Sequence, residues 1–380
     1  MSNIYGGRGV GIVSGQGAEV KDSSGKRYID FLCGNGSSLF GHCHPVLTEA
    51  ARNALSFPWG SSQPGMLNSA RDSFRSILSG LMPDGKVFLC NSGTEAMEAS
   101  LKLAISINAE KFGGRKKIIA LRKAFHGRTM GALSLTFNPV YKKTWSEFLI
   151  PVQHVKMEEA AEAIDQDTAI FVAETLQGEG GVYPMSEEIA HDITKKCKQT
   201  GTLIIVDEIQ TGWGRCGAVL LSSRIGLEAD IIALAKGMAG GLPIGATIWK
   251  GELGDFPSRG HGSTYGGNPL CASVGMASWR LLETEKYPEQ AEHKGNLFVS
   301  MLKEINSPLI TEIRHKGLLI GLELSIKSEP VIKDLQDNGV LALPAGPQVL
   351  RFLPPLVAEE KHFKEVTQVL KNTLGKINTQ

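Results

Sequence analysis

Two groups able to do nucleophilic and acid–base chemistry stand at the ends of neighbouring apolar runs in this 380-residue chain. Asp207 and Glu208 end the run LIIVDE (203–208), and Lys236 ends DIIALAK (230–236). A carboxylate at the end of a buried strand is costly without a partner, and a protonated heterocyclic nitrogen is a suitable one. A desolvated lysine amine can act as a Schiff-base nucleophile, although a lysine that extends into solvent is the ordinary alternative.

A possible phosphate site follows the run VFLC (87–90), at the sequence NSGTE (91–95). Ser92 and Glu95 have the spacing of a capping box, which predicts that a helix begins here. The apolar face of that helix is expected to continue through Met97, Leu101 and Ile105. The N–H groups and positive dipole end of a helix N-terminus bind phosphate, although a simple helix cap has the same sequence.

Two further loops follow apolar runs. FHGR (125–128) comes after KIIAL (117–121), and QGEGG (177–181) comes after AIFVAE (169–174). The phenylalanine could stack on a ligand ring and the arginine could bind a carboxylate, although a core aromatic and a solvated arginine are the common cases. QGEGG is a flexible loop that carries one carboxylate, and a simple turn is the alternative.

These features are more specific together than separately. A phosphate site, an aromatic side chain, an aspartate and a lysine at successive strand ends match four needs of pyridoxal 5'-phosphate (PLP). They would anchor its phosphate, stack on its ring, pair with its pyridinium nitrogen and bond to its aldehyde. The sequence therefore predicts one PLP site built by all four.

The elements that must position these groups form an α/β domain. Its apolar runs are continuous in Ile, Val and Leu, which is typical of strands covered on both faces and hence of a mostly parallel sheet. The ligand of such a sheet binds beyond the carboxyl ends of the strands. These runs are VFLC, KIIAL, AIFVAE, LIIVDE and DIIALAK.

The pattern changes after about residue 268, where a long helix, alternating strands and a final helix near 364–376 predict a smaller α+β domain. The predicted strands there are LITEIR, LLIGLEL, VLALP and VLRFLPPL. Residues 1–45, with a hairpin predicted in EVKDSSGKRYIDF, are expected to pack with this smaller domain. The predicted organisation is thus an N-terminal segment (1–45), a large cofactor-binding domain (46–267) and a small domain (268–380).

Composition narrows the class of protein. The chain is 42% hydrophobic and 21% charged, and its net charge of +1 argues against a nucleic-acid or polybasic membrane-binding protein. No apolar stretch approaches the ~20 residues of a membrane span and the start lacks a secretory apolar core, so we expect a cytoplasmic protein. Six cysteines without a C-x-x-C pair indicate reduced thiols.

Three other motifs are weaker. GWGRCG (212–217) matches G-x-G-x-x-G, but its Trp and Arg would crowd a pyrophosphate, so a nicotinamide site is disfavoured. HCHP (42–45) lacks a second Cys/His cluster, so no metal is predicted. The sequence has no G-x-S-x-G motif, so a serine hydrolase is not predicted.

At these residues the chain resembles the class III aminotransferases of the PLP fold type I group, and within them the acetylornithine and acetyl-lysine aminotransferases. The resemblance runs from about residue 17 to 374. The strings that carry it are GHCHP (41–45), NSGTEAME (91–98), FHGRTMGALS (125–134), QGEGGV (177–182), VDEIQTGWGRCG (206–217), LAKGMAGGLPIGA (234–246), GSTYGGNPL (262–270) and RFLPPL (351–356).

The resemblance implies that Lys236 holds the cofactor as a Schiff base and then shuttles the substrate proton, while Asp207 keeps the pyridine nitrogen protonated. Phe125 would stack on the ring and Gln210 would contact its hydroxyl. The implied cofactor-binding set is Ser92, Gly93, Thr94, Phe125, His126, Asp207, Gln210, Lys236 and Thr264.

The resemblance also assigns one residue to the site of a partner subunit and one to the substrate. Gly93 and Thr94 would bind the phosphate together with Thr264 of a partner subunit, which implies a homodimer with shared sites. Arg128 would hold the substrate α-carboxylate. The sequence departs from the family at Tyr265, where phenylalanine is common, and in CGNGSSLF (33–40), which lacks an aromatic often found at the substrate.

The family resemblance also suggests how two substrates of unequal charge share one site. Arg351 would bind the second carboxylate of 2-oxoglutarate, and Glu179 would neutralise Arg351 when an uncharged part of the ω-amino donor lies there. The donor could be N-acetylornithine, N-acetyl-lysine, succinylornithine or a lysine on an acidic carrier protein. Ornithine or 4-aminobutyrate aminotransferase, an aminomutase, a dehydrogenase using GWGRCG and a noncatalytic binding protein are the alternatives.

Overall fold

The computed structural model describes residues 9–58 and 68–378, so residues 1–8 of the predicted N-terminal segment and residues 59–67 of the predicted large domain lie outside it. The strands in chain order are β1 (Ile12–Gln16), β2 (Glu19–Asp22), β3 (Arg27–Asp30), β4 (Lys86–Cys90), β5 (Lys117–Leu121), β6 (Gln153–Val155), β7 (Thr168–Glu174), β8 (Leu176–Gln177), β9 (Tyr183–Pro184), β10 (Leu203–Asp207), β11 (Ile231–Leu234), β12 (Gly245–Trp249), β13 (Ile310–Lys316), β14 (Leu319–Leu324), β15 (Val340–Leu341), β16 (Leu343–Pro344) and β17 (Val349–Phe352).

The helices range from single turns to nineteen residues. They are α1 (Cys33–Gly36), α2 (Pro45–Ala54), α3 (Ser69–Ser79), α4 (Gly93–Lys111), α5 (Met130–Leu135), α6 (Pro139–Lys142), α7 (Ala160–Ala163), α8 (Glu187–Thr200), α9 (Leu221–Ile225), α10 (Pro269–Thr284), α11 (Tyr287–Glu304), α12 (Ser328–Asp337) and α13 (Glu360–Asn378). Short 3-10 turns lie at Ser146–Phe148, Met157–Glu159, Lys236–Ala239 and Gly251–Leu253.

A seven-stranded sheet in the order β4-β12-β11-β10-β7-β5-β6 forms the centre of the large domain. β12 is antiparallel to both of its neighbours, and the other strands run in one direction. The mostly parallel sheet predicted from the apolar runs is therefore confirmed. The carboxyl ends of β4, β5, β7, β10 and β11 all reach the same edge of this sheet, which brings the loops after them together.

The continuous apolar runs are explained by helices on both faces of the sheet. Alternate residues of β10 face opposite cores: Ile205 packs in the cluster of α4, and Ile204 packs in the cluster of α8. Every residue of β7 is buried. A strand covered on both faces has no position that favours a polar side chain, so its apolar run is unbroken.

Two strands of this sheet were absent from the sequence prediction. β6 is a three-residue edge strand whose first residue is exposed, so it lacks a continuous apolar run. β12 begins with Gly245 and Ala246, residues that are depleted in strands. A Cβ on Gly245 would lie 2.4 Å from the carbonyl oxygen of Ser92, so this small residue permits close packing at the end of β4.

The C-terminal part contains the antiparallel sheet β13-β14-β17-β16. The predicted N-terminal hairpin is present as β2 and β3, and β3 pairs in parallel with β15 of the C-terminal part. The ring of Phe31 lies 5.5 Å from that of Phe298 and 6.2 Å from that of Phe352. The N-terminal strands thus share a core with the C-terminal part, while the domain boundaries stay a prediction.

The long helix predicted after residue 268 is wrong in one respect, because the structure has two helices, α10 and α11. Lys286 between them has a φ of 50° and Pro288 lies in the first turn of α11, so the chain ends one helix and begins another. Helix α12 was absent from the prediction although it has an apolar face, and α13 begins four residues before the predicted 364.

Ile105 is a second correction. We expected it on the buried face of α4, but its side chain is 41% exposed. The helix buries small residues, such as Ala96 and Ala104, as well as large ones against β11 and β12, so its core face is not marked by large side chains alone. Within the described residues, no helix is long and apolar enough to cross a membrane.

Candidate active site

A cavity of about 390 Å³ opens at the carboxyl edge of the seven-stranded sheet. Ten of the twelve predicted site residues line it, and Arg351 and Thr264 do not. The ten are Ser92, Gly93, Thr94, Phe125, His126, Arg128, Glu179, Asp207, Gln210 and Lys236. Residues from five separate strand ends therefore converge on one space, as expected for a ligand site in an open α/β sheet.

The loop after β4 starts helix α4 against the cavity. Ser92 is the N-cap, and its hydroxyl accepts a hydrogen bond from the Glu95 N–H at 3.3 Å, as predicted. The Glu95 carboxylate accepts the N–H of Asn91 at 2.7 Å rather than that of Ser92, which differs from the usual capping box. The first N–H groups of α4, at Gly93 and Thr94, have no carbonyl partner within the helix and face the cavity.

The loop after β5 supplies an aromatic wall. The Phe125 ring contacts the Tyr141 ring edge-on, with centroids 6.2 Å apart, and the Arg128 guanidinium lies 3.5 Å from the Tyr141 ring centroid. Gly127 has a φ of 134°, and a Cβ there would lie 2.4 Å from Oγ1 of Thr94, so glycine is required where this loop approaches α4. Tyr141 was not predicted, because it comes from α6 and only the fold brings it to Arg128.

Asp207, at the end of β10, is held in a fixed orientation by two donors. Its Oδ2 lies 2.8 Å from Nδ1 of His126, and its Oδ1 accepts the N–H of Ile209 at 3.0 Å. Both side chains are buried, and Nε2 of His126 has no hydrogen-bond partner within the described residues. His126 therefore lies beside Asp207 and orients its carboxylate toward the cavity.

Lys236 follows β11 and has a φ of 42°, which is rare for a residue with a side chain. Its amine lines the cavity, and no described residue forms a hydrogen bond or ion pair with it. Burial is the main reason that the pKa of Lys236 is lowered from 10.5 to about 8. A part of the amine is thus uncharged near neutral pH, which is the form that can attack a carbonyl carbon.

Arg351, on β17, contacts Glu179 and Gln210, two residues that line the cavity. Its Nη2 lies 2.6 Å from Oε1 of Glu179, and its Nη1 donates to Oε1 of Gln210 at 3.1 Å. Arg351 is 1% exposed, whereas Glu179 is 36% exposed. A Cβ on Gly178 would lie 1.8 Å from the Gln210 oxygen, so the loop approaches this closely only with glycine there. The pairing suggested by the sequence resemblance is thus present in the geometry, with Glu179 on the accessible side.

Glu174 lies at the end of β7 and also lines the cavity, although the sequence analysis did not select it. It is 5% exposed, and in the sheet register it stands directly beside Asp207. Burial raises its pKa to about 7. The signal that found Asp207, an acid at the end of a buried strand, would have found Glu174 too.

Helix α1, in the segment 33–40, is a single left-handed turn with φ values from 48° to 90°. Such a conformation is unfavourable for non-glycine residues, and Cys33 and Asn35 adopt it here. Ser37, the next residue, lines the cavity, and its hydroxyl donates to the carbonyl of Gly34 at 2.9 Å. The segment without an aromatic therefore places a small polar side chain at the site.

Thr264 lies in an exposed loop outside the cavity of its own chain. The neighbouring Ser263 ties this loop to the start of α4, because its hydroxyl accepts a hydrogen bond from Nδ2 of Asn91 at 3.2 Å. The loop is therefore fixed to the same helix whose N-terminus faces the cavity.

The GWGRCG segment has a packing role. Nε1 of Trp213 donates to the hydroxyl of Ser278 at 3.0 Å, and the buried Arg215 donates to the carbonyls of Leu318 and Pro354. No helix begins directly after the segment, since α9 starts at Leu221, so the geometry of a dinucleotide site is lacking.

His42, in HCHP, lies 2.7 Å from the Asp30 carboxylate. No cluster of three or more His, Cys, Asp or Glu side chains suited to a metal ion occurs in the described ranges 9–58 and 68–378.

Comparison with known proteins decides the family. The model of the class III aminotransferase family matches residues 6–374. The chain belongs to the class III aminotransferases. The [LysW]-aminoadipate semialdehyde transaminase of Deinococcus radiodurans is 39% identical over 99% of this chain and 89% of its own length. The acetylornithine aminotransferase of Listeria innocua is 38% identical over 97% of this chain and 95% of its own length.

Among solved structures, the ornithine aminotransferase of Toxoplasma gondii has a TM-score of 0.91 at 30% identity and covers 100% of this chain and 93% of its own. The protein is thus a transaminase with the fold type I architecture predicted from its sequence, and the dehydrogenase alternative is wrong. Membership of this family implies PLP as the cofactor. The cavity fits that group, since it combines a helix N-terminus, a buried carboxylate and a lysine amine without a hydrogen-bond partner among the described residues.

Proposed function

We propose that this aminotransferase moves the terminal amino group of an ω-amino acid, of the N-acetylornithine or N-acetyl-lysine type, to 2-oxoglutarate. The products are a semialdehyde and glutamate, as required in arginine or lysine biosynthesis. The observation that carries this proposal is the ion pair between buried Arg351 and partly exposed Glu179, beside the cavity that holds Lys236.

The ion pair would allow one site to bind two substrates of unequal charge. Glutamate and 2-oxoglutarate bring a second carboxylate toward the reacting end of the site, and Arg351 is the cation placed to bind it. The ω-amino donor brings only methylene groups there, and a bare buried guanidinium would be destabilised beside them. Glu179 neutralises Arg351 for the donor and turns outward for the dicarboxylate, which its exposure permits.

The residues of the cavity would have separate roles toward the cofactor. When bound, PLP supplies an aldehyde that condenses with amines and a ring that withdraws electrons from the substrate carbon. Lys236 would hold the cofactor and then carry the proton released by the substrate carbon, since its lowered pKa suits both steps. Asp207, oriented by His126, would keep the ring nitrogen protonated.

Binding would rest on three further groups. The N–H groups at Gly93 and Thr94 would hold the phosphate, and the Phe125 ring would lie against the cofactor ring. Arg128, with its guanidinium stacked on Tyr141, would bind the donor's α-carboxylate at the cavity mouth. Thr264 would complete the phosphate site of a partner subunit, so we propose a homodimer. The expected cytoplasmic location stays a prediction.

A donor attached to an acidic carrier protein is a second candidate substrate. Residues 121–150 include five basic side chains and one acidic one in a chain of net charge +1. Of these, Arg122, Lys123, Arg128 and Lys143 are exposed, as are the apolar side chains of Val140 and Phe148. A basic and apolar surface beside Arg128 and Tyr141 suits an acidic protein partner. The relatives named for [LysW]-linked substrates favour the same candidate.

A panel of amino donors tests the proposal. Each donor, namely N-acetylornithine, N-acetyl-lysine, succinylornithine, ornithine, 4-aminobutyrate and a carrier-linked lysine, is supplied with 2-oxoglutarate, and glutamate formation gives kcat/KM. Pyruvate serves as the matched acceptor with one carboxylate. We expect ω-amino donors with a blocked α-amine to be preferred, and 2-oxoglutarate to exceed pyruvate.

The panel also separates the candidates. A carrier-linked donor that exceeds every free one, with a preference that falls as salt is added, would select the carrier. Preference for ornithine or 4-aminobutyrate would move the assignment to those enzymes. Because pyruvate lacks the distal carboxylate, equal use of pyruvate and 2-oxoglutarate would contradict the binding of a dicarboxylate between two arginines, Arg128 and Arg351.

A further inference from the structure

Glu174 joins two loops that the reaction uses. Its Oε2 accepts the N–H of Phe125 at 3.0 Å, and its Oε1 accepts the N–H of Gly178 at 3.3 Å. Phe125 forms the aromatic wall of the cavity, and Gly178 precedes Glu179. One carboxylate at the end of β7 therefore holds both the wall and the loop that carries the Arg351 partner.

We propose that Glu174 is a positioning residue that fixes the Phe125 loop and the Glu179 loop to each other. The carboxylate touches neither Glu179 nor Arg351 through a hydrogen bond, so it acts through backbone amides. The inference rests on the proposed function, because it gives Glu174 control over how firmly Glu179 covers Arg351.

The position of Glu174 is costly for a side chain with only a packing role. It is 5% exposed and lies beside Asp207 in the sheet, so two carboxylates share a buried region. Among the described residues, Lys236, Glu179 and Arg128 line the same cavity, Arg351 pairs with Glu179, and His126 faces both carboxylates. A buried carboxylate is expensive unless its oxygens accept hydrogen bonds, and those bonds here go to two separate functional loops.

Ionisation of Glu174 changes the number of amides that it can hold. The ionised carboxylate offers two acceptor oxygens, one for each loop. The protonated form carries a hydrogen on one oxygen, which weakens its contact with the opposing N–H. Burial raises the pKa of Glu174 to about 7, and the charge of Asp207 acts in the same direction. The two loops are therefore held together above about pH 7 and loosened below it.

The variants that test this inference keep the shape of the site. Glu174→Gln is isosteric but leaves an amide NH2 opposite one backbone N–H, and Glu174→Asp keeps the charge but is one methylene too short to reach both loops. Glu208→Gln is the matched control. Glu208 is also a buried strand-end carboxylate with a raised pKa, of about 6, but it bonds to Ser222 and lies outside the cavity lining.

Two measurements follow. The first is amide hydrogen exchange of the folded protein in peptides covering 124–128 and 177–181, corrected for intrinsic rates. The second is the ratio of half-reaction rates for the ω-amino donor and glutamate, read from cofactor absorbance at pH 6 and pH 8. We expect the peptide whose N–H faces the new amide NH2 to exchange about five- to thirtyfold faster in Glu174→Gln, since its hydrogen bond to a charged group is lost.

The donor-to-glutamate ratio should fall about three- to tenfold in Glu174→Gln at pH 8. In the wild type it should fall between pH 8 and pH 6, and in Glu174→Gln it should stay level. Glu174→Asp should lie between the two proteins, and Glu208→Gln should leave the ratio and both peptides unchanged. A purely structural role would lower both half-reactions equally and leave the ratio unchanged.

Unchanged exchange of both peptides in Glu174→Gln would overturn the inference. So would an unchanged ratio in Glu174→Gln if Glu179→Ala shifts that ratio. If Glu179→Ala itself leaves the ratio unchanged, the proposed switch fails, and hydrogen exchange alone then decides whether Glu174 holds the two loops.

Discussion

Removing the Glu179 carboxylate should turn the site toward dicarboxylates. In Glu179→Ala, Arg351 keeps its hydrogen bond to Gln210 but loses its anionic partner at 2.6 Å. Arg351 is buried, so water cannot replace that partner fully. The guanidinium then lacks an anionic partner, which the carboxylate of glutamate supplies and the ω-amino donor does not. Glutamate should react faster and the donor more slowly.

The structure sets the size of this effect. A hydrogen bond between charged groups contributes about 1.5–3 kcal/mol when it is well shielded. Glu179 is 36% exposed, so solvent screening reduces its contribution, and we take about 1–2 kcal/mol. At about 1.4 kcal/mol per factor of ten, the ratio of the two half-reaction rates should change about five- to thirtyfold.

Single-turnover kinetics measure this ratio directly. Each amino donor is mixed with the PLP enzyme, and the loss of the PLP absorbance band gives a rate for N-acetylornithine and for glutamate. Arg351→Ala should shift the ratio in the opposite direction, because it removes the group that binds the second carboxylate. Glu188→Ala, which removes an exposed carboxylate at the start of α8, is the matched control. Equal ratios in the wild type and Glu179→Ala would refute the switch and leave the family assignment intact.

Three further outcomes are expected. Asp207→Ala should still bind PLP through the start of α4 but lose most of its activity, and Asp207→Glu should retain more activity. Titration with PLP measures the binding, and turnover assays measure the activity. Thr264→Ala should weaken PLP binding, and mixed dimers of Thr264→Ala and Lys236→Ala chains should regain one tight site in two, whereas no regain would contradict a shared site. Because the lowered pKa of Lys236 is about 8, capture of PLP by the apoprotein should speed up as pH rises and level off above about pH 8. A capture rate that is independent of pH between 6 and 9 would contradict that lowered pKa.

The sequence predicted that residues at several strand ends meet in one cavity, and the reason is physical. Strands covered on both faces are continuously apolar, so the polar residues that end them, such as Asp207 and Lys236, stand out. The carboxyl ends of parallel strands meet at one edge, which lets strand ends far apart in sequence be placed in one cavity without knowledge of strand order.

The substrate side was less accessible to sequence reasoning. Arg351 and Glu179 are 172 positions apart, and no local pattern connects β17 to the loop after β8. Their pairing came from family resemblance. Tyr141 and Ser37 were missed because Tyr141 lies in the single-turn helix α6 and Ser37 follows the single turn α1, and only the fold brings these short segments to the site. Glu174 is an acid at the end of an apolar strand, like Asp207. Its hydrogen bonds to two loops depend on the fold and were not predicted from the sequence.

The secondary-structure errors have similar causes. β12 begins with small residues that pack against the end of β4, and the break between α10 and α11 depends on a left-handed Lys286. Ile105 is apolar but exposed in the single chain. The start of β12 is decided by neighbours distant in sequence rather than by local propensity, whereas the helix break has a local signal in Pro288.

Reductive trapping of the cofactor shows which residue bonds to it. The protein is loaded with PLP, treated with borohydride to reduce the bond between an amine and the cofactor aldehyde, digested and mapped by mass spectrometry. We predict one modified peptide, that containing Lys236, and none from Lys236→Ala. A PLP-loaded protein with no modified peptide, or with the modification on another lysine that persists in Lys236→Ala, would contradict this prediction.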